Sequence, residues 1–215
     1  MPVNARNAQL RPELEAFVAA AMTELELIPT ARRATLDGLA HFVAERCRAG
    51  ERADLIFICT HNSRRSHMAQ LWSQAAAHRF GVTGVATYSG GTEATAFNPR
   101  AVAALERAGF LIEATTAGAN PVYAVRYNAD MAPMECFSKV YDQPPNPTED
   151  FCAVMTCGEA EAACPIVFGA EERISLPYDD PKAADGSAEE TTVYDERCRH
   201  IAREMLYAFS RVGAA

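Results

Sequence analysis

The chain has no long hydrophobic run, no excess of positive charge, no C-x-x-C pair and no repeat or low-complexity tract. Each absence excludes something. The longest apolar stretches, Leu55-Ile56-Phe57-Ile58 and Ala16 to Met22, fall well short of the roughly 20 residues a membrane-spanning helix requires. The opening Met1-Pro2-Val3-Asn4-Ala5-Arg6 lacks the charged-then-apolar order of a secretory signal. Twenty basic against 28 acidic side chains give a net charge of −8, which argues against a nucleic-acid surface. Seven cysteines without an export signal are expected to be reduced thiols in a cytoplasm rather than a disulfide framework. The five histidines are not spaced as ligands beside Cys157 or Cys164, so no metal site is expected.

What is present is an ordinary globular balance: 215 residues, 49% hydrophobic and 22% charged. That is room for one good-sized domain and an appendage. The first fifty residues read as helix. Pro12 to Leu25 carries Leu14, Phe17, Val18, Ala21, Met22 and Leu25 on one stripe. After the break at Ile28-Pro29, Thr30 reads as the cap of a second helix bearing Leu36, Leu39, Ala40, Val43 and Ala44, stopped at Ala49-Gly50. Two such helices cannot bury their stripes alone. An extension over residues 1–50 is therefore expected either to lie on a main domain, residues 51–215, or to pack between subunits of a homodimer.

From Asp54 the texture changes. Leu55 to Ile58 is an unbroken apolar run, as expected of a central parallel strand. Helical periodicity through Met68, Leu71, Trp72 and Ala75 follows, then a strand over Val82 to Tyr88 and a helix opened by Asn98-Pro99. Phe151 to Thr156 and a stretch within Ala170 to Leu176 read as further strands, and Glu189 to Val212 as a closing helix. The alternation indicates an α/β class with a mostly parallel sheet flanked by helices. Tyr123 to Tyr127 and Cys136 to Tyr141 are expected to pair as a hairpin added to that sheet. His67, His78 and His200 are expected to be surface or interface side chains, and Cys47, Cys136, Cys152 and Cys198 packing residues.

The informative segment is Cys59-Thr60-His61-Asn62-Ser63-Arg64-Arg65-Ser66, between a strand and a helix. Ligands of parallel sheets bind beyond the carboxyl ends of strands, where helix N-termini offer free N–H groups. Five residues between Cys59 and Arg65 suffice to ring a tetrahedral oxyanion with the amides of Thr60, His61, Asn62, Ser63 and Arg64. Arg65 can close the ring with two parallel charge-assisted hydrogen bonds. The same positive field favours a Cys59 thiolate, to which Ser66 can donate its hydroxyl.

With its C-x5-R-S loop, the chain from about Asp54 onward resembles the low-molecular-weight protein tyrosine phosphatases and the thioredoxin-coupled arsenate reductases that share their fold. Ser89-Gly90-Gly91-Thr92-Glu93, followed by Asn98-Pro99, resembles the family's segment after the second strand. The family usually has Gly in place of His61 and often Cys in place of Arg64. The resemblance implies a four-stranded sheet and a general acid in Asp179-Asp180-Pro181. Asp180, which directly precedes the proline, is favoured over Asp179. An aromatic residue usually follows that proline in the phosphatases, and Lys182 stands there instead.

Cys157 to Cys164, in Met155-Thr156-Cys157-Gly158-Glu159-Ala160-Glu161-Ala162-Ala163-Cys164-Pro165, resembles the reductases' pair of shuttling thiols. The resemblance implies a relay in which Cys59 attacks arsenate, Cys157 attacks Cys59, and Cys164 attacks Cys157. Thioredoxin is then the external reductant, and no bound cofactor is needed. Seven residues of helix span about 10.5 Å, whereas disulfide-bonded Cα atoms lie roughly 4.4 to 6.8 Å apart. The oxidised 157–164 segment therefore cannot stay helical. Some reductases of the family carry a potassium site near the loop; Gln70 stands where a carboxylate would sit, so no ion is expected. The alternatives are a phosphotyrosine phosphatase working through a Cys59 phosphocysteine, and a non-catalytic oxyanion-binding module.

Overall fold

Strand β1 (Ala53–Cys59) is buried along its whole length. Its side chains alternate between two cores, which is why the apolar run is unbroken. Leu55 and Phe57 enter a large core on one face, while Ile56 and Ile58 enter a smaller one on the other. The computed structural model, which describes residues 9–163 and 166–213, places β1 inside a parallel four-stranded sheet. The strand order is β2 (Val85–Gly91), β1, β6 (Phe151–Met155), β7 (Ala170–Ser175). All three pairings are parallel.

Four helices share the large core with the sheet: α1 (Pro12–Met22), α2 (Thr30–Ala49), α3 (Arg65–Arg79) and α6 (Glu190–Val212). Helix α4 (Pro99–Arg107) joins them, opened by Asn98, whose side chain accepts from the Arg100 amide at 2.9 Å. Trp72 of α3 is fully buried at the crossing. It stacks on Phe17 of α1 at 5.2 Å, meets Phe110 edge-on at 5.0 Å, and donates its indole N–H to Cys198 Sγ of α6 at 3.2 Å. The N-terminal helices thus lie on the domain, burying Leu14, Val18, Leu36, Leu39 and Val43 in its core. Among the described residues no helix is long and apolar enough to cross a membrane.

The expected boundaries shift in three places. The first helix ends at Met22 and is followed by a short 3₁₀ turn, Leu25–Leu27. Thr30 is the first helical residue; Pro29 precedes it, and no side chain caps the helix. The expected hairpin does not extend the main sheet. Strand β4 (Tyr123–Arg126) pairs antiparallel with β5 (Met134–Cys136), not with a strand running to Tyr141, and on its other edge with β3 (Leu111–Ala114). These form a separate three-stranded sheet. Beyond Cys136 the chain turns back to the main sheet, where Val140 bridges Gly91.

Gly109 seats α1. Its φ is +110°, and a Cβ there would lie 2.3 Å from the Leu14 amide nitrogen. Gly109→Ala combines a disfavoured backbone conformation with overpacking and is expected to destabilise the fold by about 2 kcal/mol or more. A urea midpoint within error of the parent's would show that α1 does not press on this turn.

Candidate active site

The parallel register brings the carboxyl ends of the strands to one edge. Cys59 pairs with Gly91 at the end of β2, and Ile58 pairs with Met155 at the end of β6. The Thr156 amide donates to the Ile58 carbonyl at 2.7 Å, so the next residue, Cys157, arrives beside Thr60. The chain leaving β7 reaches the same edge, where the Tyr178 amide donates to the Thr156 carbonyl at 3.1 Å. Cys59, Cys157 and Asp180 come from three separate strand ends and meet here.

Between Cys59 and α3 the backbone carbonyls are tied outward. The Cys59 carbonyl accepts from the Thr92 amide at 3.1 Å, and that of Thr60 from the Glu93 amide at 2.9 Å. The His61 carbonyl takes the hydroxyls of Thr95 at 3.1 Å and Ser138 at 3.0 Å, and that of Ser63 takes the Asn98 amide at 2.9 Å. With the carbonyls turned out, none of the amides from Thr60 to Arg64 donates to another part of the protein among the described residues. They remain donors at the mouth of α3, where the helix adds its own unpaired N–H groups. The close approach requires glycine at 91: a Cβ there would lie 2.3 Å from the Glu93 carbonyl oxygen and 2.6 Å from that of Thr60.

Cys59 is 3% exposed, and its Sγ lies 3.1 Å from Ser66 Oγ. Asn62 Nδ2 donates to that same hydroxyl oxygen at 2.9 Å, which leaves the Ser66 proton free to point at the sulfur. Asn62 also accepts the Lys139 amide through Oδ1 at 2.9 Å. It takes the left-handed turn of the loop, with φ +44°. Asn tolerates this conformation better than any β-branched residue.

The remaining loop side chains face away from the amides. Ser63 donates to the Ala96 carbonyl at 2.7 Å, and His61 pairs with Glu93 at 2.9 Å on the surface. Arg64 Nε donates to Tyr194 Oη at 2.8 Å, and its Nη2 lies 3.5 Å from Asp185. His61 and Ser63, grouped from the sequence as oxyanion contacts, therefore offer the site only their amides, whereas the Arg64 guanidinium also approaches Asp180 Oδ1 at 3.9 Å.

Arg65 is buried and differs from its expected pose. Its Nη1 donates to the Tyr178 carbonyl at 3.0 Å and its Nη2 to Asp180 Oδ2 at 2.9 Å. Its Nε is buried with no protein partner among the described residues. Asp180 in turn accepts the Lys182 amide at 3.0 Å, capping the turn Pro181–Ala184. Its neighbour Asp179 points the other way, 96% exposed, toward Arg197. The structure thus separates the two candidate acids: Asp180 is in the site and Asp179 is not.

Cys157 is fully buried, its Sγ 3.5 Å from the Thr60 hydroxyl. It immediately precedes α5 (Gly158–Ala163), a short helix whose Glu159 approaches both the Thr60 hydroxyl at 3.4 Å and Arg65 Nη2 at 3.8 Å. Glu161 of the same helix is held by Ser175 Oγ at 2.7 Å and by Arg173 through its carbonyl at 3.0 Å. Cys164 lies outside the described residues. Among the described residues no group of three or more metal-ligating side chains converges.

The family described as low molecular weight phosphotyrosine protein phosphatase matches residues 54–129. The arsenate reductase of Bacillus licheniformis is 31% identical over 160 residues, covering 74% of this chain and 96% of the relative. The chain belongs to the low-molecular-weight phosphotyrosine phosphatase family. The arsenate reductase of Bacillus subtilis is 29% identical over the same shares of the two chains. A solved YwlE mutant from Bacillus subtilis shares the fold at a TM-score of 0.51, with 17% identity over 75% of this chain and 99% of that one. The usual loop glycine of the family is dispensable here because the left-handed residue is Asn62, one place after His61.

Behind the family's loop lie two groups whose burial the sequence did not reveal. His67 is fully buried, not at a surface or interface as expected; it stacks on Phe97 at 4.0 Å and meets Ser89 Oγ at 3.2 Å through Nδ1. Burial, with help from the Lys139 charge, holds its pKa well below the ordinary histidine range. Lys139 is 4% exposed, its ammonium 4.7 Å from the Phe137 ring centre and 3.4 Å from the Phe137 carbonyl. Burial lowers its pKa to about 8. Below that pH it is protonated in both the folded and unfolded chain, and the folded chain bears the desolvation cost. Between about 8 and 10.5 the folded form releases the proton first, so the cost fades. Lys139→Met is therefore expected to stabilise the fold by about 2 kcal/mol at neutral pH. That advantage should shrink as denaturation is repeated at rising pH. A constant difference across the range would show that the ammonium is not desolvated.

Proposed function

We propose that this protein reduces arsenate to arsenite through a thiol relay carried by Cys59, Cys157 and Cys164, with a dithiol protein of the thioredoxin class as the reductant. One observation supports this above the others: Cys157, two residues past the end of β6, has its Sγ 3.5 Å from the hydroxyl of Thr60, the residue that follows Cys59. The curated relatives are named arsenate reductases, which supports the same substrate.

In the proposed sequence the amides from Thr60 to Arg64 and the Arg65 guanidinium hold the oxyanion. The Cys59 thiolate attacks As(V) and forms an S–As bond, while Asp180 protonates the departing oxygen, which leaves as water. The Cys157 thiolate then attacks Cys59 Sγ. An S–S bond forms, the S–As bond breaks, and its electron pair stays on arsenic, which leaves as As(III). The Cys164 thiolate attacks Cys157 Sγ, forming the Cys157–Cys164 disulfide and freeing Cys59 as a thiolate. The external dithiol then takes up the oxidising equivalents. For the two cysteines to meet, α5 must unwind and Glu161 must release Ser175 and Arg173.

Arsenate reduction assayed with thioredoxin, thioredoxin reductase and NADPH is expected to require all three thiols. Cys164→Ser or Cys157→Ser should abolish turnover while sparing hydrolysis of 4-nitrophenyl phosphate by the same loop. Full turnover in either variant would sink the relay. It would leave the second reading, phosphoryl transfer through a Cys59 phosphocysteine, which the family match favours. Cys59→Ser should abolish both activities.

Asp180→Asn is expected to slow the chemical step by on the order of 10² to 10⁴. Asp179→Asn, at a carboxylate turned to solvent, should change it by less than about twofold. Equal losses in the two variants would show that the acid was wrongly assigned.

A further inference from the structure

Helices α1 and α2 precede residue 54, where the family match begins, yet one side chain of α2 reaches the segment that carries Asp180. Arg32 lies in the first turn of α2. Its Nε donates to both carboxylate oxygens of Glu204 at 2.9 and 3.0 Å, and its Nη2 donates to the Pro177 carbonyl at 3.1 Å. The guanidinium also lies 4.8 Å from the centre of the Tyr178 ring. Tyr178 also meets the His200 ring edge-on at 5.4 Å. The carbonyl of this same Tyr178 receives Arg65 Nη1, and Asp180 follows two residues later. A single guanidinium from the extension thus grips the backbone and the ring just upstream of the candidate acid.

The anchor behind it is costly unless it serves a purpose. Glu204 is 1% exposed on α6 and receives Arg32 and His200 Nε2, the latter at 3.0 Å. Burial alone would raise this carboxyl; the hydrogen bonds from His200 and Arg32 overturn that and hold it below its ordinary value. A buried ion pair of this kind contributes little stability compared with apolar residues of the same volume. What it supplies is a fixed direction for the Arg32 fork.

We propose that the N-terminal helices serve the active site, with Arg32, aimed by Glu204, acting as a positioning residue that fixes residues 177–180 so that Asp180 meets Arg65 and the leaving oxygen. This rests on the reading of Asp180 as the general acid. The test uses the full chain and two aryl phosphates, 4-nitrophenyl phosphate, whose leaving group needs little protonation, and phenyl phosphate, whose leaving group needs it. In kcat/KM, which reports the transfer to Cys59, Arg32→Met should lose on the order of tenfold more on phenyl phosphate than on 4-nitrophenyl phosphate. In an Asp180→Asn background, the same substitution should change either value by less than about twofold, because both act through one proton transfer. Arg32→Lys keeps the charge beside Glu204 but lacks the fork, and should show a smaller loss in the same direction; it serves if Arg32→Met does not fold. Equal losses on the two substrates, or losses that multiply with Asp180→Asn, would overturn the proposal and reduce Arg32 to a packing residue. If Asp180→Asn itself left the ratio between substrates unchanged, the acid assignment would fall first and the proposal with it.

Discussion

The site depends on one constraint: the carbonyls of Cys59, Thr60, His61 and Ser63 are bound from outside. The segment from Thr92 to Asn98, with Ser138, supplies the donors, and Gly91 admits the backbone close enough to be reached. Turning carbonyls outward obliges the amides to converge, and converging amides in front of a helix N-terminus make a field that suits a tetrahedral anion. Ser66 and Asn62 then follow as local consequences, one hydroxyl held by an amide so that its proton faces sulfur.

Around that turn the parallel register does the gathering. Strand ends that lie side by side deliver a thiol from β6 and a carboxyl from the connection after β7 without any long-range search. Arg65 links them, binding the Tyr178 carbonyl and Asp180 while approaching Glu159 of α5. The segment that carries Asp180 and the helix that follows Cys157 therefore both meet the same guanidinium. Any motion of Arg65 onto an oxyanion changes the footing of both.

Much of this was legible in the sequence because the chemistry is concentrated. Eight contiguous residues carry Cys59, the free amides and the Arg65 guanidinium, and Asp180 is marked by the proline after it. Other parts were not legible for physical reasons. The Arg32–Glu204 pair joins residues 172 positions apart, and nothing local distinguishes Arg32 from its neighbour Arg33. Lys139 was missed because lysine is rarely buried. His67 was misjudged because α3 buries its polar residues too, Ser66, Gln70 and Ser73 among them, being enclosed between the sheet and α6. A stripe-based reading assumes one wet face. The short strand β3 was overlooked since a four-residue segment with three exposed positions carries no alternation to detect.

The shared core of the N-terminal helices has a consequence for trimming the protein. Leu36, Leu39 and Val43 belong to one continuous cluster with Ile201, Met205 and Phe209 of α6. A truncation cut back to the start of the family match would leave that flank of α6 bare, a greasy strip along about two turns of helix on the outside of the molecule. Such a fragment would self-associate before its catalysis could be compared with that of shorter cousins, so the minimal unit for any transplant or chimera begins ahead of α1.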